Sequence, residues 1–90
     1  MLETISNIKG LEIYSPKGIF VGVVDEVIID LSTMKASGLF VENPNPVLVE
    51  DNISISVPFS WIGGIGDVVV LKAFPNRVAA SAAPPRERTR

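Results

Sequence analysis

Gly18-Ile19-Phe20-Val21-Gly22-Val23-Val24-Asp25-Glu26-Val27-Ile28-Ile29-Asp30-Leu31 is the stretch whose reading decides the fold. Ile19, Val21, Val23, Val27, Ile29 and Leu31 occupy alternate positions, and only Asp25 breaks the series. A period of two places those side chains on one face of a strand. The other face reads Phe20, Gly22, Val24, Glu26, Ile28 and Asp30, the mixture of a partly solvated surface. β-Branched residues dominate, and they pack well on a pleated surface. At roughly 3.3 Å per residue the run would reach about 40 Å, too long for one flat strand. A bend is therefore expected, with a bulge at Gly22 turning Asp25 outward.

The flanking segments read as shorter strands. Leu11 to Tyr14 is a strand, and Ser15-Pro16-Lys17-Gly18 carries the proline and glycine of a type I turn. Asp30 to Lys35 reverses the chain, so that Ala36 to Val41 forms a hairpin with the long run. Two prolines interrupt Glu42 to Pro46, and Val47 to Val49 reads as a short strand flap. Ile53-Ser54-Ile55-Ser56-Val57 alternates cleanly, Phe59 to Ile62 suggests one 3₁₀ turn, and Gly63 to Asp67 reads as a flexible bend. Val68 to Leu71 is a closing strand, apolar on both faces. Residues 1–9 fit either a helical turn or a lead-in strand. The expected architecture is all-β, a small antiparallel barrel of about five to six strands over residues 1–75. An Ala/Pro/Arg-rich tail over 76–90 has little to bury and is expected to be disordered.

Composition narrows the function. Residues 1–75 hold four lysines against nine acidic residues, a balance of −5, while residues 76–90 hold four arginines against Glu87. An acidic body disfavours nucleic-acid binding, which needs a basic face. The four arginines are too dispersed for a polybasic lipid anchor, and plain solvation is their expected role. No apolar run approaches the roughly 20 residues that span a bilayer. The start, Met-Leu-Glu-Thr-Ile-Ser, lacks the pattern of a signal peptide, so a cytoplasmic chain is expected.

The sequence has no histidine and no cysteine, which removes the commonest bases, nucleophiles and soft metal ligands. Asp25 and Glu26 are adjacent and face opposite ways on a strand. Gly63-Gly64-Ile65-Gly66 lacks the preceding strand and following helix of a phosphate loop. The expected catalytic, cofactor-binding and metal-ligating sets are therefore empty, and no cofactor is expected. Phe20 and Phe40 lie opposite the main apolar set of their strands. With Val24 and Ile28 they would form one outer apolar patch, the expected protein interface.

The succession of these pieces resembles the PRC-barrel family. The resemblance lies in Lys9-Gly10-Leu11-Glu12-Ile13, in Gly18 through Asp30, in Lys35 through Val41, and in Val57-Pro58-Phe59-Ser60-Trp61-Ile62-Gly63-Gly64-Ile65-Gly66-Asp67-Val68-Val69-Val70. The closing segment looks most like stand-alone archaeal PRC-barrel proteins of cell division. That resemblance implies a non-enzymatic protein-binding adaptor, forming a homodimer or a heterodimer with a paralogous barrel. It also implies a link to the SepF-type membrane anchor of the FtsZ ring, hence recruitment to the inner face of the membrane only through that partner. The alternative reading is a ribosome-maturation factor. Its usual second barrel is missing from this stretch, and the acidic body disfavours RNA. A small-ligand or ion carrier using the barrel mouth is a further alternative.

Overall fold

Alternating β-branched residues and punctuating turns produce strands throughout, but the long run does not remain one strand. A computed structural model describes residues 7–78 of the chain. Seven strands follow in order: β1 (Glu12–Tyr14), β2 (Phe20–Val23), β3 (Glu26–Asp30), β4 (Lys35–Val41), β5 (Ile55–Pro58), β6 (Ile62–Ile65) and β7 (Val69–Leu71). They form a four-stranded sheet, β2-β1-β7-β6, and a three-stranded sheet, β3-β4-β5. All pairings are antiparallel except β1 with β7, which is parallel. Residues 7 and 8 are helical, and the rest of the segment read as a helical turn or lead-in strand lies outside the described residues.

The long run passes from the first sheet to the second at Val24 and Asp25, which belong to no strand. A bulge does occur beside Gly22, because Ile13 pairs with Gly22 while Tyr14 pairs with Phe20 and leaves Val21 extra. The change of direction comes two residues later than Gly22. Val24 bonds back to the first sheet's side: its N–H donates to the Leu11 oxygen (2.9 Å) and its oxygen accepts from the Gly10 N–H (2.9 Å). Asp25 bonds forward: its N–H donates to the Phe40 oxygen (2.9 Å), and its Oδ2 accepts the Glu42 N–H (2.7 Å). The half-buried carboxylate thus fixes β4 against the crossing, rather than turning freely outward.

Both sheets turn their inner faces to one core. Ile13, Val21, Val69 and Leu71 come from the first sheet, and Leu39, Val41 and Val57 from the second, all essentially inaccessible. Val24 and Val49 join them from connecting segments. Burying each such side chain contributes about 1.5–3 kcal/mol before entropy is counted. Close strand approach depends on glycine at two points. A Cβ on Gly22 would sit 2.6 Å from Cγ1 of Val41, and one on Gly38 would sit 2.8 Å from the Val57 carbonyl oxygen.

Several expected elements differ. Val47–Val49 is a turn, with only Val49 making an isolated parallel bridge to Val78. Gly63 and Gly64, read as a bend, belong to β6: Gly64 pairs with Val70 of β7 and Gly63 sits at a register shift between Ile62 and Gly64, a ladder that glycine's low strand propensity would not predict. Splitting the long run and adding β6 raises the strand number above the expected five to six. A turn is present at the expected place: the Gly18 N–H donates to the Ser15 oxygen (2.9 Å), with Gly18 at φ 80°. The reversal after β3 is present too, held by the Asp30 carboxylate, which accepts from the Ser32 N–H (3.0 Å) and hydroxyl (2.8 Å). The bonded chain continues past the expected boundary at residue 75, since Val78 exchanges backbone bonds with Leu48 and Glu50. The remainder of the expected tail, 79–90, lies outside the described residues.

Two stability predictions follow from the crossing and the close approach. Asp25→Ala should cost about 1–2 kcal/mol, the worth of a charged acceptor on a partly exposed backbone donor, read as a lowered urea midpoint at unchanged slope. Gly38→Ala should cost about 1–3 kcal/mol through its clash with backbone. Gly64→Ala, whose Cβ would meet nothing within 4 Å, should stay within about 0.5 kcal/mol of the parent.

Candidate protein-binding faces

Strand parity decides which apolar side chains reach the surface. Partners directly opposite in a ladder share a face. Phe20 is opposite Tyr14, Tyr14 is opposite Val70, and Val70 is opposite Gly64. One row therefore crosses all four strands of the first sheet, with a length of about 14 Å at the usual strand spacing. It lies opposite the core set, since Ile13, Val69 and Leu71 point inward from the same strands. Phe20 is 38% exposed, Val70 46%, and Val23, on the next rung, 38%.

The row is pre-organised. The rings of Tyr14 and Phe20 meet edge to face at 5.8 Å between centroids. The Tyr14 hydroxyl donates to Glu12 Oε1 (2.8 Å). That hydrogen bond, with smaller contributions from burial and from the Glu12 charge, raises the Tyr14 pKa above its ordinary value. At the far end Gly64 offers no side chain, so the row runs out onto bare backbone.

The two edges of this sheet differ. Asn45 closes the β2 edge: its N–H donates to the Val21 oxygen (2.7 Å) and its Nδ2 to the Phe20 oxygen (2.8 Å). Pro44 beside it is fully buried. The β6 edge, Ile62-Gly63-Gly64-Ile65, carries none of the proline or charge that usually blunts such an edge.

The four residues singled out from the sequence separate in space. Phe20 sits on the first sheet, in the row just described. Ile28 and Phe40 sit on the second sheet, half-exposed, on the face opposite Val27, Leu39 and Val41. Ile28 faces Gly38 across the ladder and Phe40 faces Glu26, so the two are diagonal neighbours in a smaller patch. Val24 is 1% exposed and belongs to the core, because the crossing turns it inward. It cannot line a surface patch, and Phe20 does not share one sheet face with Phe40. Tyr14, Val23 and Val70 were not singled out. Val70 alone had a signal, a closing strand apolar on both faces, which a one-sided sheet would not need; Tyr14 and Val23 lie on other strands.

Among the described residues no group of three or more His, Cys, Asp or Glu gathers to hold a metal ion. None of the described helices is long and apolar enough to cross a membrane.

The chain contains one tyrosine, so its tyrosinate absorbance reports Tyr14 alone. The titration midpoint should lie above the ordinary tyrosine value and return toward it in Glu12→Ala; an unchanged midpoint would break the proposed pairing.

The model of the PRC-barrel domain family matches residues 2–77. No curated protein matches the sequence.

Proposed function

Because the chain belongs to the PRC-barrel family, we propose that it is a non-enzymatic protein-binding adaptor that works through the outer face of its four-stranded sheet. The observation that carries this reading is the row Phe20–Tyr14–Val70, aromatic and aliphatic side chains held outward on a rigid ladder. Aromatic residues at a flat, pre-organised position lose little entropy on binding and dominate interface energetics. The open β6 edge adds unpaired backbone groups in the same sheet, which a partner strand can satisfy. Chemistry has little support in comparison, since the sequence offers neither histidine nor cysteine.

The partner fits a second barrel, either another copy or a paralogue, with an ordinary buried area of about 800 Å² per side. Within that reading the adaptor serves archaeal cell division. It joins the SepF-type anchor of the FtsZ ring to other division components and acts in the cytoplasm at the membrane's inner face through that partner. The basis for this finer assignment is overall similarity to stand-alone archaeal barrels, to which the Val57–Val70 segment is especially alike.

Sedimentation of the full chain, alone and mixed with its paralogue and the SepF-type protein, tests the proposal. Phe20→Asp combined with Val70→Asp should abolish association while leaving the circular dichroism of the fold intact. Phe40→Asp, on the other sheet, should leave association in place. A parent chain that stays monomeric and binds neither protein sinks the reading, as does a double variant that still associates.

A further inference from the structure

A second surface lies at the end of the first sheet, where the β1–β2 turn faces the chain leaving β7. Between them runs a groove of about 600 Å³, within the range of roughly 300–1,000 Å³ usual for ligand sites. Its floor is aliphatic and aromatic: Ile19, Val47, Leu48, Phe74 and Pro75. Leu48 is buried, but Ile19 is 40% and Val47 67% exposed, so apolar area stands open to water.

Charge distinguishes this groove from the rest of the surface. Lys17 and Lys72 line it, and none of its lining residues is acidic. They are two of only four lysines in residues 1–75, a stretch with nine acidic residues. Lys9, by contrast, is paired with Glu26 at 3.2 Å. Among the described residues neither groove lysine has a carboxylate within ion-pair distance. Lys17 instead donates from Nζ to Asn76 Oδ1 (3.3 Å), a neutral acceptor across the groove.

The walls are set in advance. Ser15, 6% exposed, accepts at its hydroxyl from the N–H groups of Lys17 and Ile19, both at 3.1 Å, and so fixes the turn that carries them. On the far wall the Lys72 N–H donates to the Trp61 oxygen (2.7 Å), and Phe74 packs edge to face on Trp61 at 6.0 Å. Residues 79–90 of the same chain hold three arginines against one glutamate, the wrong sign to lie between two lysines.

We infer that this groove docks a short segment of a partner protein in which aliphatic side chains alternate with carboxylates. The aliphatic groups would cover Ile19 and Val47, and the carboxylates would take the two ammonium groups, with Asn76 yielding its bond from Lys17. Such a segment is recognised separately from any barrel on the Phe20–Tyr14–Val70 row, so the two surfaces can serve two partners at once.

Amide NMR titration of the full chain with three synthetic end-capped hexapeptides tests this. One alternates leucine with aspartate, one leucine with asparagine, and one leucine with lysine. The aspartate peptide should saturate, shifting amides at residues 17–19, 47–48 and 72–76, and should weaken with added salt. The asparagine peptide should bind about tenfold more weakly, as expected for the loss of two partly exposed ion pairs. Lys17→Glu with Lys72→Glu should lose the aspartate peptide and gain the lysine one. Should the double variant fail to fold, Lys72→Glu alone and the salt dependence of the parent carry the test. The inference is overturned by equal affinity for all three peptides, by no saturation at millimolar peptide, or by shifts centred on Phe20, Tyr14 and Val70. Binding to phosphatidylglycerol vesicles without any peptide binding would also overturn it. None of these outcomes depends on whether the barrel self-associates.

Discussion

The structure depends on the way the backbone is satisfied at Val24 and Asp25. A chain that leaves one sheet for another gives up its ladder bonds for two residues, and unpaired buried backbone is costly. Here each residue serves a different sheet. Val24 returns both backbone groups to the Gly10–Leu11 segment leading into β1, while Asp25 commits its N–H and its carboxylate to the end of β4. The valine side chain can then enter the core because its polar atoms are already paired. An acid at position 25, out of place in an apolar series, is the residue that such a crossing needs. It supplies an acceptor for the Glu42 N–H just where β4 ends.

From that crossing the rest of the architecture follows. Two sheets sharing one continuous run must face each other, so Val21 and Val27 meet one core from different sides. The loop after β4 then lies along the β2 edge, where Asn45 replaces a missing strand and Pro44 packs behind the Val41 side chain that takes the space Gly22 leaves open. One edge of the four-stranded sheet is consumed in this way. The other edge, β6, has no loop to cover it among the described residues. The open edge and the closed edge are thus consequences of the same connection.

Period-two reading located the strands well and their breaks poorly, for a reason visible in the residues. The bulge before β2 ends and the crossing at Val24 and Asp25 each shift parity by one and cancel, so Val21 and Val27 both keep the inward positions of an uninterrupted run. The bulge at Val21 shifts parity by one and sends Val23 outward, and nothing in the composition of four alternating apolar residues records it. Phe20, Ile28 and Phe40 were legible as outward residues because each alternates with a strong core position. Their division between two sheets was not, since that follows from long-range pairing. The Gly63–Gly64 strand was hidden for a related reason: glycine pairs with β7 through backbone that carries no side-chain signature. The Lys17–Lys72 groove joins segments more than fifty positions apart, beyond the reach of any local pattern.

The exposure of Val70 is not a packing failure. Its neighbours Val69 and Leu71 are at 0% and 1% exposure, so the strand is seated as tightly as a strand can be, and parity alone puts Val70 outside. At such a position a β-branched polar residue such as threonine would keep nearly the same strand propensity and suit water better. The same holds for Phe20, whose ring contributes to the ladder through Tyr14 but leaves a third of its surface in solvent. Folding alone gives no reason for aliphatic and aromatic groups in an outward row on a four-stranded ladder. A small domain has few core positions, and these side chains are not competing for them. Their apolar character would gain further free energy if another surface covered the row, and that is the physical ground of the protein-binding role proposed for it.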